Sequence, residues 1–362
     1  MVVAVDANGA DLGPAEVAAG AAHAARRGAR VLLFGPAAEI AEAGPLPAGV
    51  EVLDAPVSIA KSPDPARAAR ATPEASIVQA ARAVGEGRAQ ALVCAGGTGA
   101  ALAAGLFNIR RARGVHRPAL ALPLPVPTSD GAHGATVTLL DVGASAQARP
   151  EHLVQFAFMG AAFARAVLGV ERPRVGLLSN GRESERGGEL VVQANAELSA
   201  LIAAQAQRGE ASTFDFLGNV EGTDLTAGVA DVVVTDGFTG NVALKLVEGV
   251  SQTILAAIRS TAMASPRARL GGLLLRPALR SFRAEIDPEA QGGAYLLGLR
   301  RLGVVPHGRF TRRGFAEAIL RARQGVLEDV VGATDAALRG AGALRQAPAG
   351  PPSAQDASLP NI

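Results

Sequence analysis

The chain has 362 residues and a formal net charge of +2; 49% of its residues are apolar and only 3% are aromatic. A charge so near neutrality, with few aromatic side chains to stack on bases, argues against nucleic-acid binding. The single cysteine, Cys94, excludes an internal disulfide framework. The sequence has no basic leader followed by an apolar segment and no apolar run approaching about 20 residues. We therefore expect a cytoplasmic protein whose membrane contacts are peripheral.

Apolar strand-like runs alternate with Ala-rich helical stretches along the chain. Strands are predicted at 1–7, 29–35, 89–95, 119–122, 135–142, 174–178, 214–217 and 231–235. Helices are predicted at 14–27, 73–85 and 98–111, and after Pro150, Arg186 and Thr239. This alternation predicts a mostly parallel sheet covered on both faces, with ligands at the carboxyl ends of strands. Composition predicts one domain over 1–344 and a disordered Ala- and Pro-rich tail over 345–362.

A glycine-rich loop, Gly96-Gly97-Thr98-Gly99, follows the predicted strand 89–95 and opens a helix. Glycines let a ligand approach the backbone, and the amides and dipole at a helix start favour an anion. The alternative is a tight turn that needs glycine for packing alone. The loop lacks the Gly-Lys-Ser/Thr ending of a P-loop and the third glycine of a dinucleotide fingerprint, so nucleotide binding is poorly supported.

A second loop, 235–241, again lies between an apolar strand and a helix. Asp236 could accept a proton from hydrogen phosphate, Thr239 and Asn241 could bind oxygens, and Lys245 could neutralise charge. The alternative is an ordinary helix cap at Thr239 or Asn241, with Lys245 solvated.

A third polar loop, 177–189, leads from a strand into a long helix. The guanidinium of Arg182 or Arg186 could clamp phosphate with paired donors. The alternative is a solvated helix start rich in Glu and Arg.

Ordered motifs along about 330 residues resemble the bacterial acyl-ACP:phosphate acyltransferase family. They are Val5-Asp6-Ala7 with Gly9 and Asp11, Ala95-Gly96 with Thr98-Gly99-Ala100, Leu139-Leu140-Asp141-Val142-Gly143-Ala144, Pro150-Glu151-His152-Leu153-Val154-Gln155-Phe156, Gly218-Asn219-Val220-Glu221-Gly222, Asp236 to Asn241, Gly292-Gly293 and His307-Gly308.

The resemblance implies a homodimeric α/β/α sandwich, related to the isocitrate dehydrogenase and phosphate acetyltransferase folds. It implies transfer of a long-chain acyl group from acyl carrier protein (ACP) to inorganic phosphate, without a redox cofactor or metal. The acyl phosphate would pass to a membrane glycerol-3-phosphate acyltransferase in phospholipid synthesis. Together, loops and resemblance give Asp236, Asn241 and Arg186 as catalytic candidates. The candidates for binding substrate or phosphate are Asp6, Gly9, Asp11, Gly96, Gly97, Thr98, Gly99, Asn180, Gly181, Gly237, Thr239, Gly240, Lys245, Gly292, Gly293 and His307.

The chain departs from the family pattern at several of these loops. The family usually reads Gly-Gly-Asp-His where this chain has Gly9-Ala10-Asp11-Leu12, and it has Asn where this chain has Gly97. Arg186 stands for a family Lys, which keeps the charge but not the geometry. These changes leave open a catalytically weakened homologue that acts as a membrane-associated scaffold. A short-chain acyl-CoA phosphotransferase or a nicotinamide-dependent dehydrogenase of similar fold is less favoured.

Two basic segments indicate surface contacts. In the segment 263–285, leucines alternate with Arg269, Arg276, Arg280 and Arg283, which is typical of an interfacial helix on anionic lipid. The alternative is a dimer-packing helix that Pro277 kinks or divides. A second group, which could receive acidic ACP, contains Arg110, Arg111, Arg113, His116 and Arg117. The five histidines show no metal-ligand spacing.

Overall fold

The computed structural model describes residues 1–126, 135–285 and 287–345. Its strands form one eleven-stranded sheet in the order β3-β2-β1-β4-β11-β10-β5-β6-β9-β7-β8. The strands are β1 (Val2–Asp6), β2 (Arg30–Gly35), β3 (Val50–Asp54), β4 (Ala91–Cys94), β5 (Ala119–Val126), β6 (Ala135–Leu140), β7 (Arg174–Leu178), β8 (Asp215–Val220), β9 (Val232–Val234), β10 (Ala294–Leu297) and β11 (Leu302–Val305).

Thirteen described α-helices connect and cover the strands. They are α1 (Pro14–Arg26), α2 (Ala37–Ala41), α3 (Pro65–Ala71), α4 (Ser76–Gly85), α5 (Thr98–Ala104), α6 (Pro150–Leu168), α7 (Glu189–Gln207), α8 (Asp224–Ala227), α9 (Gly237–Met263), α10 (Pro266–Glu285), α11 (Pro288–Gln291), α12 (Arg312–Leu327) and α13 (Val330–Gly340). A π-helical turn, Gly105–Ile109, continues α5.

The sheet separates two apolar cores, because successive residues of a strand point to opposite faces. In β1, Val3 and Val5 belong to one core and Ala4 to the other; in β4, Val93 and Leu92 divide in the same way. Buried residues of α1, α6, α12 and α13 line the first core, and those of α4 and α5 line the second. This confirms the α/β/α sandwich.

Seven of the ten described strand pairings are parallel, which confirms the mostly parallel sheet. The strand β5 pairs antiparallel with both of its neighbours, β10 and β6. The strands β6, β9, β7 and β8 therefore run in the opposite direction to the strands β1 to β4 and β11. The loops at the carboxyl ends of these groups are consequently not neighbours along one edge, which the sequence did not predict.

Every predicted strand is present, the strand 174–178 with the predicted ends and the others with altered ends, but β3, β10 and β11 were not predicted. The predicted helix 73–85 is wrong in extent, because α4 begins at Ser76 and a separate helix, α3, precedes it. The helix α10 continues through Pro277 and is not divided there. Residues 346–362, which include nearly all of the predicted disordered tail, lie outside the described residues, as do the side chains of Phe282 and Arg283.

One helix is longer and more apolar than the sequence analysis expected. By length and composition alone, the 27 residues of α9 could cross a membrane. The helix nevertheless begins with a capped turn bonded to the loop after β6, and its Lys245 contacts the loop after β11. We therefore assign its first turns to the folded body.

Candidate functional site

Three loops meet at the carboxyl ends of β1, β4 and β11. The Asp11 amide donates to the Gly308 carbonyl oxygen at 2.8 Å. A methyl group on Gly96 would lie 2.8 Å from the Gly9 carbonyl oxygen and 2.9 Å from the Cα of Gly308, and Gly96 has a φ of +106°. This close approach and this backbone conformation require glycine at position 96. These three contacting loops, which contain Gly9, Gly96 and Gly308, are here called the glycine cluster.

A cleft of about 600 Å³ opens beside the glycine cluster, lined by Asn8, Gly9, Ala10, Ser58, Ile59, Ala60, Lys61, Ser62 and Ala68. Lys61, Ser58 and Ser62 come from the loop between β3 and α3, which the sequence analysis missed. One signal was available, because the chain has only two lysines, Lys61 and Lys245. Lys61 lines this cleft, and Lys245 contacts His307 in the loop after β11.

The helix α5 begins next to this cleft with open backbone donors. Its N-cap, Gly97, makes no side-chain cap, and a methyl group on Gly97 would lie 3.1 Å from the Cα of Ala60. Among the described residues, no acceptor takes the amides of Thr98 and Gly99. Unsatisfied amides at a helix start attract anions, so the predicted phosphate contact at this loop keeps its geometric basis.

Asp6 lies beneath the cleft rather than on its surface. The side chain is buried, and its Oδ1 accepts from the Ser76 hydroxyl at 2.6 Å and from the Asn8 amide at 3.1 Å. The Asn8 side chain continues this network to Ser76 and to the Ala55 carbonyl. Burial raises the pKa of Asp6 to about 7, against the smaller opposing effect of these hydrogen bonds. The geometry gives Asp6 a positioning role.

Cys94 is buried against the same carboxyl group. Its Sγ lies 3.6 Å from Asp6 Oδ2. Burial, followed by the neighbouring Asp6 charge, raises the pKa of the Cys94 thiol well above its ordinary value. The thiol therefore stays protonated and packs as a small apolar group.

The helix α9 contacts the glycine cluster through Lys245 and His307. The Nζ of Lys245 lies 3.4 Å from His307 Nε2, and Glu248 accepts from Lys245 and from Arg309 at 3.1 and 3.4 Å. Desolvation, then the charges of Arg309 and Lys245, lower the pKa of His307 below 6.5. The ring is neutral at pH 7; its Nδ1 accepts from the Arg309 amide at 3.3 Å, so it takes a proton there only by giving up that bond.

The start of α9 differs from the sequence hypothesis. Asp236 Oδ1 accepts from the amides of Phe238 and Thr239 at 2.9 Å, and its Oδ2 accepts from the Thr239 hydroxyl at 2.6 Å. The amides of Gly237 and Gly240 donate to the carbonyls of Ser145 and Asp236. Asp236 is thus the N-cap, a role the sequence analysis had offered to Thr239 or Asn241. These four amides already have acceptors, so they are not available as donors to an anion at this helix start.

The loop after β6 supports that cap. Asp141 is fully buried and accepts from backbone amides of Leu120, Gly143, Ala144 and Ser145. Asn241 Nδ2 donates to the Val142 carbonyl at 3.0 Å. A methyl group on Gly240 would lie 1.9 Å from the Asp141 carbonyl oxygen. Glycine at 240 is therefore required for the contact of α9 with this loop.

The third predicted loop lies beside the Asp236 loop, because β7 pairs parallel with β9. The Arg186 side chain is exposed and lies 3.6 Å from the Glu183 carboxylate, while Arg182 pairs with Asp224 at 2.8 Å. Asn219 fixes the loop by donating to the carbonyls of Glu183 and Arg186. Asn180 is exposed at the loop start, and Gly181 packs against the Arg186 stem. Their predicted contacts with phosphate remain predictions.

The helix α9 connects the two parts of the site. Asn241 contacts the loop after β6, and Lys245 contacts the loop after β11. These residues are one turn apart, roughly 6 Å along the helix axis. At Gly292 and Gly293, added methyl groups would meet Ala318 and Val305 backbone atoms at 2.8 and 2.6 Å. These glycines permit close packing and do not line the cleft.

The histidines are less scattered than the sequence suggested. Ligand atoms of His116, Glu151 and His152 all lie within 4.8 Å of one another. The His152 Nδ1 accepts from the Arg149 amide at 3.2 Å, which places the proton of the neutral ring on Nε2. That nitrogen is then a donor rather than a metal ligand, so the residues fit a metal poorly.

A family model described as a fatty acid synthesis protein matches residues 1–332. A phosphate acyltransferase of Geobacillus thermodenitrificans is 40% identical over 93% of this chain and 99% of its own length. A phosphate acyltransferase of Thermus thermophilus is 44% identical over 89% of this chain and 94% of its own length. The chain belongs to this phosphate acyltransferase family.

Solved structures agree with the fold of this phosphate acyltransferase family member. A phosphotransacetylase from Streptococcus pyogenes gives a TM-score of 0.57 at 15% identity, covering 90% of this chain and 94% of that chain. A branched-chain phosphotransacylase from Enterococcus faecalis gives 0.54 at 14% identity, covering 90% and 99%. The predicted relationship to the phosphate acetyltransferase fold is confirmed.

Proposed function

We propose that this enzyme transfers a long-chain acyl group from acyl-ACP to inorganic phosphate, releasing acyl phosphate and free ACP. The observation that carries the phosphate half is the cleft beside the glycine cluster. The Lys61 loop and the residues after β1 line this cleft. Gly97, which precedes the open amides of Thr98 and Gly99, approaches Ala60 in the same loop, and the Lys245–His307 pair lies at the loop after β11. Such a set of donors and cations is suited to a compact dianion.

The reaction proceeds by direct attack. An oxygen of phosphate adds to the thioester carbonyl carbon, the carbonyl becomes an oxyanion, and the carbon–sulfur bond then breaks to release the thiolate. Lys61 and Lys245 hold the phosphate charge, and neutral His307 takes the proton of hydrogen phosphate. The thiolate leaves without strong acid catalysis and is protonated by water. The buried Cys94 has no part in this route.

The test is phosphate-dependent release of free ACP from a long-chain acyl-ACP, with acyl-CoA as a second acyl donor. Lys245→Gln should raise the KM for phosphate about tenfold or more, because a contact charge is lost. Arg165→Gln, on the exposed side of α6, serves as the control and should change nothing. A folded protein without phosphate-dependent turnover would instead favour the scaffold hypothesis.

We also propose a homodimer formed through α9. Apolar side chains recur every four residues on its outer face and are 40% to 65% exposed in the single chain: Val242, Leu246, Val250, Ile254 and Ile258. Residues four apart form the ridges by which helices interlock. A second copy of the same helix is the proposed occupant of this apolar ridge.

We further propose a peripheral membrane contact at α10. Leu270, Leu273, Leu274 and Leu275 are all more than half exposed, and Arg269, Arg276 and Arg280 are exposed on the same helix. Leucines inserted between anionic headgroups that pair with the arginines would hold the helix at a lipid surface. Cosedimentation with phosphatidylglycerol vesicles should be lost in Leu273→Glu/Leu274→Glu; retained binding would contradict this proposal.

A further inference from the structure

Eight arginines gather around the loop that precedes β5 and the turn between β10 and β11. This arginine face consists of Arg110, Arg111, Arg113, Arg117, Arg149, Arg300, Arg301 and Arg345, all of them exposed. Among the described residues, the only ion pair of the face joins Arg149 to Glu151 at 3.3 Å. The face therefore carries a large excess of positive charge.

The backbone of this face is held in an unusual conformation. Arg110 has φ +71° and ψ 157°, a region that side chains other than glycine rarely adopt. Its amide donates to the Gly105 carbonyl at 2.9 Å, and its carbonyl accepts from the Arg300 amide at 3.0 Å. A π-helical turn, which is frequent at functional sites, immediately precedes it. Glycine would relieve the strain, yet the chain carries an arginine here.

Arg345 completes a cleft at the arginine face. The Arg345 amide donates to the Gly114 carbonyl at 2.8 Å. This bond brings Arg345 to a cleft of about 330 Å³ that Arg110 and Arg111 also line. Three arginines from two distant parts of the sequence thus line one concavity, and guanidinium groups are suited to binding carboxylates.

Contacts link the arginine face to the candidate site. Arg117 Nη1 donates to the Gln147 carbonyl at 3.4 Å, in the loop that follows Asp141. Two residues earlier, the Ser145 carbonyl accepts from the Gly237 amide at the start of α9. A partner bound on the face would therefore lie beside the end of α9 that leads to Asn241 and Lys245.

We propose that the arginine face docks the acidic carrier protein that presents the acyl thioester. An acidic helix complements the arginines in charge, and such complementarity sets orientation and speeds association. The inference rests on the proposed function, because it requires a carrier-bound substrate. It adds Arg300, Arg301, Arg149 and Arg345 to the arginines that the sequence grouped.

The first test reverses charge on the face. Arg113→Glu/Arg345→Glu should raise the KM for acyl-ACP at least tenfold and leave kcat within twofold. Turnover of acyl pantetheine, which has the thioester but no carrier protein, should stay unchanged. Arg26→Glu/Arg165→Glu places the same charge change on exposed residues of α1 and α6 and should not alter the KM. An unchanged KM in the first variant would overturn the proposal.

The second test uses the strained residue. Arg110→Gly should unfold at a temperature equal to or above that of the wild type and still bind ACP several-fold more weakly. A merely structural role for Arg110 predicts no change in ACP binding, which would contradict the proposal.

Direct binding of holo-ACP, followed by fluorescence anisotropy, separates this proposal from the proposed function. If the wild type binds holo-ACP through the face and makes no acyl phosphate, only the proposed function fails. If Arg113→Glu/Arg345→Glu loses binding to phosphatidylglycerol vesicles and keeps its affinity for holo-ACP, the face is a lipid contact and the docking proposal is wrong.

Discussion

At the scale of single residues, the site contains two acidic groups whose surroundings give them structural tasks. Asp6 and Asp236 were both candidates for contact with substrate. Asp6 is buried with Ser76 and Asn8, and Asp236 caps α9. Sequence motifs identified both positions, but a motif cannot distinguish a carboxyl that touches a ligand from one that fixes the loop beneath it.

Asp6 should make stability depend on pH. Burial raises the pKa of Asp6 from its ordinary value of 3.8 to about 7 in the folded state, so the folded protein binds an extra proton between these values. Its stabilising contribution is full below pH 3.8 and is lost as the pH rises through 7. Between pH 6 and 8, the free energy of unfolding should fall by about 1 kcal/mol from this group. Urea titrations should show that Asp6→Asn lacks this loss; equal slopes would contradict the buried neutral carboxyl.

His307 should control the acid limb of activity. Its pKa is lowered below 6.5 by desolvation and by the charges of Arg309 and Lys245. As the pH falls through the lowered pKa, the ring protonates and can no longer accept a proton, so kcat/KM should decline. His307→Gln should reduce kcat by roughly 100-fold or more and abolish this limb. A variant with the wild-type pH profile would remove His307 from the mechanism.

At the scale of elements, α9 joins the two parts of the candidate site. Its cap, its Asn241 bond and its Lys245 contact follow in order along the first three turns. The sequence predicted the loop and the helix because glycines and an aspartate follow an apolar strand. It could not predict which oxygen accepts the first amides, because Asp236, Thr239 and Asn241 are all acceptable at such a position.

Two substitutions of Asp236 separate its capping role from a chemical role. Asp236→Ser keeps a good N-cap, whereas Asp236→Ala removes it and should cost about 1 kcal/mol. We expect the Ser variant to retain most of the phosphate-dependent turnover and the Ala variant to lose stability together with activity. Turnover and urea unfolding check this, and an inactive but stable Ser variant would show that the carboxylate takes part in chemistry.

At the scale of the whole molecule, the fold class was predictable from the sequence, but the direction of every strand was not. Alternating patterns predicted the sheet, but β10 and β11 were missed because Arg300 and Arg301 interrupt a short apolar region. The antiparallel placement of β5 is set by pairing between distant segments, which local periodicity does not contain. For the same reason, the local sequence of the Lys61 loop does not show that this loop lies beside the glycine cluster.

The proposed dimer should be sensitive to charge in the α9 ridge. Leu246→Asp/Ile254→Asp places two carboxylates where a second copy would pack, so we expect the dimer to dissociate by at least tenfold in Kd. Analytical ultracentrifugation measures this change. Thr253→Asp/Gln252→Asp, on exposed polar positions of the same helix, is the matched control. A monomeric wild type would contradict the dimer directly.

The helix α9 is a rod of 27 residues, roughly 40 Å long. One end holds Lys245 at the glycine cluster, and the remainder carries the apolar ridge. A continuous helix moves as one body over several turns. A second subunit bound along the outer part of α9 would therefore also set the position of the Lys245 ammonium group at the glycine cluster. The turnover rate of each subunit would then depend on whether the subunit is in a dimer. Dilution of the enzyme would change that rate because it dissociates the dimer.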